Sequence, residues 1–238
     1  MRSFFLKETR SGVFMQRYFW ILLVAIIFNL ETNKVLAEDT EGLLKEQITL
    51  CESCHGAKGS SQDPQFPILA GQHFYYLYVQ LKDYKEGSRK NEIMSNIVAD
   101  LSKEDMKALA QYFSEQSWPL IQVESQPELT EQGEVASESG QCVQCHLGGY
   151  EGESRIPRLA GQHPEYLEKT MLDFKERIRT NSAAKSSLLD AFKAIDIKAM
   201  AVFLGGLQVH EKSHGSEIQC PNALRIITQP CFSAVLFF

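Results

Sequence analysis

The fold of this chain is decided by the stretch Cys142-Val143-Gln144-Cys145-His146 and by its earlier twin, Cys51-Glu52-Ser53-Cys54-His55. A Cys-x-x-Cys-His pattern is typical of the covalent attachment site of a c-type haem. Its two thiols lie on one helical turn and can add to the vinyl groups of a porphyrin, while the histidine supplies the proximal iron ligand. The motifs therefore predict two covalently bound haem c groups, held by Cys51, Cys54 and His55 and by Cys142, Cys145 and His146.

The alternatives to haem attachment are a redox Cys-x-x-Cys pair, half of a zinc site, or a chance match to the pattern. A redox Cys-x-x-Cys pair or half of a zinc site would need the same cysteines. The second copy of the motif, and the common sequence that follows both copies, favour haem over either use.

The sequence after each motif is repeated as well. Pro67-Ile68-Leu69-Ala70-Gly71-Gln72-His73 returns as Pro157-Arg158-Leu159-Ala160-Gly161-Gln162-His163, and Asp83-Tyr84-Lys85-Glu86 returns as Asp173-Phe174-Lys175-Glu176. Repetition on this scale indicates a tandem duplication of one structural unit. At 238 residues the chain has room for two small domains.

The amino-terminal residues are expected to be a targeting segment outside the fold. Arg10 and Arg17 precede an apolar run at 18–30, and small residues follow near Ala37, which is the layout of a secretory signal peptide. We expect a signal peptide at 1–37, a first domain at 38–118, a linker at 119–128, a second domain at 129–207 and a tail at 208–238. A retained membrane anchor is the alternative to cleavage. In the tail, Cys220 and Cys231 form either a disulfide or two free thiols.

Local signals predict helices throughout both repeats. Ser102 with Asp105 resembles a capping box that opens a helix ending near Glu115. The aromatic segment 73–84 precedes Gly87 at a helix-ending position, and a last helix is expected from Ala191 to Leu204, ending at two glycines. The net charge of −6 argues against a nucleic-acid partner and leaves an acidic surface that could steer a basic protein.

The doubled motif and the Pro-x-Leu-Ala-Gly-Gln block after each copy resemble the dihaem cytochrome c4 family, from about Glu41 to Leu207. The resemblance implies an all-α fold of two tandem class I cytochrome c domains, each a small helical bundle around a covalently bound haem. It also implies that the two domains face each other and carry electrons without transforming a substrate. The carbonyls of Pro67 and Pro157 would accept the N–H of the proximal imidazoles.

Each haem then needs a distal ligand, which in this family is a methionine. Met94 occupies the matching segment of the first domain. The matching segment of the second domain, 179–187, contains no methionine, and a one-residue shift between the repeats leaves either Ala184 or Lys185 opposite Met94. Three interpretations follow: ligation by a neutral Lys185 amine, an open or water-ligated site, or a more distant ligand such as His163 or His210.

Replacing a thioether by nitrogen or water should lower the reduction potential of the second haem. Met171 and Met200 align with core positions and are not expected to substitute for Met94. Arg89 and Arg179 are expected either to pair with haem propionates or to be ordinary surface residues.

The expected function is a periplasmic dihaem cytochrome, not an enzyme, that carries single electrons in a respiratory chain. Its donor would be a quinol-oxidising complex or a dehydrogenase, and its acceptor a terminal oxidase. One alternative is the cytochrome subunit of a larger oxidoreductase, such as a flavocytochrome. Another is a haem enzyme or sensor with an open second haem. Peripheral association with the membrane is compatible with all three.

Overall fold

Helices make up nearly all of the regular structure in the computed structural model, which describes residues 41–208. Within that range the strand-like pairing is confined to one bridge between Glu153 and Ile156. The all-α class is therefore confirmed. The expected signal peptide, His210, both tail cysteines and nearly all of the tail lie outside the described residues. None of the helices found between residues 41 and 208 has the length and apolar character that crossing a membrane requires.

The two repeats fold into two similar sets of helices. The first set is α1 at residues 41–55, α2 at Phe74–Glu86, α3 at Glu92–Ile97 and α4 at Lys103–Ser114. The second set is α5 at Pro127–Ser139, α6 at Val143–His146, α7 at Pro164–Lys175, α8 at Ala183–Leu189 and α9 at Ala194–Gly206. Each haem motif ends a helical segment, and the same order of helices follows it in both halves.

The helix boundaries that depend on local signals agree with the sequence. The Ser102 hydroxyl accepts the N–H of Asp105 at 3.0 Å, and the Asp105 carboxylate accepts the N–H of Ser102 at 2.8 Å. This reciprocal pair is the expected capping box at the start of α4. Helix α2 ends at Gly87, whose φ of 77° is the left-handed conformation that glycine adopts at little cost.

Two boundaries differ from expectation. Helix α5 begins at Pro127, within the stretch expected to be linker, because proline is well suited to the first helical position. Helix α9 begins at Ala194, not Ala191, and runs through both terminal glycines. Gly205 serves close packing: a Cβ there would lie 2.6 Å from the Pro164 ring and 2.8 Å from the Gln162 carbonyl oxygen.

Each half buries its own apolar cluster. Helix α4 buries one face, which consists of Met106, Leu109, Ala110 and Phe113. In the second half α9 crosses α5 so closely that a Cβ on Gly133 would lie 2.0 Å from the carbonyl oxygen of Ala199. This close crossing fixes the position of α5, the helix that leads into the second haem motif.

We expect Gly133→Ala to destabilise the protein by at least about 2 kcal/mol, since the added methyl group overlaps rigid backbone and forces α5 and α9 apart. Guanidinium unfolding of the haem-loaded protein, followed by far-ultraviolet circular dichroism, would measure the change. Gly42→Ala is the matched control, because that glycine lies in α1 with nothing within 4 Å of its added Cβ. Equal stability of the two variants would contradict the close approach.

Candidate functional site

The two motif histidines are held in the same way. His55 Nδ1 donates to the carbonyl oxygen of Pro67 at 2.8 Å, and His146 Nδ1 donates to that of Pro157 at 2.9 Å. These are the carbonyl contacts that the family resemblance implied. Because Nδ1 is occupied, Nε2 is the ring nitrogen left for an iron ion.

Burial keeps both imidazoles neutral, as a metal ligand must be. It lowers the pKa of His55 and lowers that of His146 to about 4. The nearby positive charge of Lys185 also contributes to the lowered pKa of His146. The amine of Lys185 and the second proximal imidazole therefore interact electrostatically.

The motif cysteines have the character of attachment points, not of a redox pair. Burial raises the pKa of the Cys51 thiol to about 11 and also raises that of Cys142. Catalytic Cys-x-x-Cys pairs have a thiol with a lowered pKa, because the thiolate is the nucleophile. Cys51 packs against the apolar cluster of the first half, and Cys142 packs against an apolar cluster of the second half.

Met94 lies in α3, half-buried against the apolar cluster of the first half. Its backbone N–H donates to the side-chain oxygen of Asn91, the N-cap of α3, at 2.9 Å. Cys51 packs against the same cluster. Met94 and the first motif cysteine therefore contact the same apolar cluster.

Lys185 occupies the corresponding place in α8. Its backbone N–H donates to the side-chain oxygen of Ser182, the N-cap of that helix, as Met94 does to its own N-cap. Four residues further on, Val98 and Leu189 are both buried. Lys185 and Met94 therefore have equal positions relative to the N-cap and to the buried residue. Met94 corresponds to Lys185 and not to Ala184.

The surroundings of Lys185 are those of a buried amine. The side chain is half-buried while Ala184 is exposed, and its Nζ lies 5.2 Å from the centre of the Phe174 ring. Burial, together with the positive charges of Arg179 and Arg89, lowers the pKa of Lys185 to about 8. The free base is the form in which an amine binds a metal.

The other nitrogen and sulfur candidates in the described residues have different roles. His73 Nε2 donates to the carbonyl oxygen of Glu151 at 2.8 Å, and His163 Nε2 donates to that of Ser61 at 3.0 Å. Met200 is 1 % exposed and packs with Met171 in the core of the second half.

Arg89 and Arg179 are buried, so the expectation of ordinary surface residues is wrong. They are 8 % and 4 % exposed, and in the range 41–208 neither pairs with a carboxylate. Both donate to one acceptor, the Gln80 side-chain oxygen, at 2.8 and 2.7 Å. Arg89 also donates to the hydroxyl of Tyr166 in the other half at 3.0 Å. Two buried cations that have no carboxylate partner among residues 41–208 fit the propionates of bound haem.

The Ala-Gly-Gln turns join the two halves. Gln162 bonds the N–H and the carbonyl of Ile68 at 2.9 and 3.0 Å, and Gln72 bonds those of Arg158 at 2.9 and 3.0 Å. We call these four bonds the glutamine clasp. Sequence reasoning used the turns as a family signature but missed this contact, and the only available signal was that both copies of the block keep the glutamine.

Comparison with known proteins relates the chain to one kind of cytochrome. No family model matches it. It is 32% identical to cytochrome c4 of Pseudomonas aeruginosa, over 78% of this chain and 98% of that protein. It is 31% identical to a thiosulfate dehydrogenase electron acceptor of Stutzerimonas stutzeri, over 60% of this chain and 70% of that protein.

The fold comparison agrees. The crystal structure of reduced recombinant cytochrome c4 from Pseudomonas stutzeri superposes with a TM-score of 0.64 at 32% identity, covering 70% of this chain and 98% of that one. Both haem motifs and the proline contacts of their histidines are present here. The chain therefore belongs to the cytochrome c4 family, as a dihaem electron-transfer cytochrome with two covalently bound haem c groups.

Proposed function

We propose that this chain is a periplasmic electron carrier with two unequal haem sites: His55 and Met94 ligate the first iron, and His146 and Lys185 ligate the second. Haem supplies one-electron exchange at its iron. The observation that carries the proposal is the equal position of Met94 in α3 and Lys185 in α8, each three residues after its N-cap. The lowered pKa of Lys185 and its proximity to His146 support the same assignment.

Unequal distal ligands give unequal reduction potentials. A thioether is a soft ligand that stabilises ferrous iron and raises the potential, whereas an amine favours ferric iron. The site of Met94 should therefore have the higher potential. With haem bound at both sites, an electron that entered at the second site would move downhill in free energy to the first.

The ligand assignment is tested with Lys185→Met. We expect near-infrared magnetic circular dichroism of the oxidised wild-type protein to show one methionine-ligated and one amine-ligated haem. The variant should show two methionine signatures, and its lower potential should rise toward the higher one, because sulfur replaces nitrogen at the second iron. Lys169→Met on the exposed face of α7 is the control and should keep the wild-type spectrum. Two methionine signatures in the wild-type protein would refute the assignment.

Removal of the amine should open the second site. We expect reduced Lys185→Ala to bind carbon monoxide at one haem, with a shifted Soret band, while the reduced wild-type protein does not. Strong binding by the wild-type protein would favour the alternative of a haem enzyme or sensor with an open second haem.

The second site should also respond to acid. In the absence of iron, the pKa of the Lys185 amine is about 8. Because iron competes with the proton for the amine, the proton displaces the iron only at a pH below that value. We expect a pH titration of the ferric protein to show loss of the amine-ligated spectrum on acidification, with a midpoint below about 8. The transition should be absent in Lys185→Met, and its persistence there would assign it to another group.

The proposed partners are redox proteins: a quinol-oxidising complex or a dehydrogenase as donor and a terminal oxidase as acceptor. The relative named as a thiosulfate dehydrogenase electron acceptor favours a second candidate, in which the chain serves one enzyme directly. Stopped-flow reduction by a thiosulfate dehydrogenase with thiosulfate, compared with reduction by a quinol-oxidising complex, separates the two. Faster reduction by the dehydrogenase would favour the second candidate.

A further inference from the structure

A continuous chain of hydrogen bonds links each proximal histidine to a glutamine of the other half. In the first half His55 Nδ1 donates to the Pro67 carbonyl oxygen at 2.8 Å. The N–H of Ile68 donates to the Gln162 side-chain oxygen at 2.9 Å. The Pro67 carbonyl and the Ile68 N–H belong to one peptide group. A single peptide therefore connects the first proximal imidazole to a side chain of the second half.

The same connection runs in the opposite direction. His146 Nδ1 donates to the Pro157 carbonyl oxygen at 2.9 Å, and the N–H of Arg158 donates to the Gln72 side-chain oxygen at 2.9 Å. The two series of hydrogen bonds cross between the halves, so each one ends on a glutamine oxygen of the opposite half.

Both glutamines are fixed in place. Each is 3 % exposed, and each amide nitrogen makes the second bond of the glutamine clasp. Each side-chain oxygen also accepts the N–H of the next residue, His73 at 3.0 Å or His163 at 3.1 Å. Solvent cannot replace such an acceptor without opening the contact between the halves.

Hydrogen bonds in series polarise one another in a buried environment. An acceptor on the Ile68 N–H draws that proton away and makes the Pro67 carbonyl oxygen more negative. The more negative oxygen pulls harder on the His55 N–H, which makes the imidazole a stronger donor to iron. A stronger donor stabilises ferric iron and lowers the reduction potential.

We propose that Gln72 and Gln162 are positioning residues that tune the reduction potential of the haem bound to the opposite half. Gln162 acts on the haem of Cys51 and Cys54, and Gln72 acts on that of Cys142 and Cys145. This inference rests on the proposed axial roles of His55 and His146. It makes the potentials depend on the contact between the halves as well as on the distal ligands.

The test is a redox titration of the full haem-loaded chain carrying Gln162→Met. Loss of the acceptor should raise the ferrous-to-ferric ratio of the first haem about three- to tenfold at a fixed applied potential, where tenfold corresponds to about 59 mV for one electron. The second haem should stay at its wild-type ratio. Gln72→Met should do the reverse. The titration should show one redox wave for each haem. The variants Met94→Lys and Lys185→Met identify which wave belongs to which haem.

Matched controls separate tuning from damage to the contact. His163→Phe and His73→Phe each remove a different bond between the halves, to Ser61 or Glu151, and leave the glutamine clasp in place. They should leave both waves unmoved. Gln162→Glu keeps an oxygen acceptor for the N–H of Ile68. It should hold the ferrous-to-ferric ratio of the first haem at or below the wild-type value. This variant remains informative if Gln162→Met fails to fold.

The inference is overturned if Gln162→Met leaves the redox wave of the first haem in place or moves that of the second. It is also overturned if His163→Phe moves both waves as far as Gln162→Met does. Failure of the proposed ligand set has a different signature. In that case neither Met94→Lys nor Lys185→Met would move a wave, whatever the glutamine variants do.

Discussion

The hydrogen bond from each proximal imidazole to a proline carbonyl is the contact on which both haem sites depend. It orients the ring, fixes the proton on Nδ1 and leaves Nε2 for iron. The bond spans 12 residues in the first half and 11 in the second, so the loop after each motif must fold back to deliver the carbonyl. The Ala-Gly-Gln turn that follows the proline then carries the contact to the opposite half. Ligand orientation and association of the halves thus share one short segment of backbone.

Much of the fold follows from local sequence, because helix ends are specified by neighbouring residues. Ser102 and Asp105 show this: their capping box needs nothing beyond the first turn of α4. The role of Gly205 was less accessible, since it depends on how closely α9 approaches Pro164. The role of the glutamines was missed for the same reason: their partners lie 94 and 86 residues away. Such contacts arise from tertiary packing and produce no periodic pattern in the sequence.

The two halves differ most where one extra residue separates Arg179 from α8. Counting along the sequence could not choose between Ala184 and Lys185, because the position of the insertion was unknown. The N-caps resolve the ambiguity, since a helix start is a physical reference point that both halves share. The two halves thus place a thioether and an amine at equivalent positions. With the ligand set proposed above, such a scaffold would separate two potentials by a single side chain while its proximal side stays the same.

The glutamine clasp has a consequence for the history of the duplication. A single copy of the unit would leave the N–H and carbonyl of Ile68, or of Arg158, without their present partners, and two copies supply each other. In the joined chain, each copy therefore supplies hydrogen-bond partners to the backbone that follows its neighbour's proline. The segments that contain Met94 and Lys185 differ in sequence between the two copies. The Ala-Gly-Gln turns are the same in both copies, and a change of the glutamine in one copy would remove hydrogen bonds from the backbone of the other.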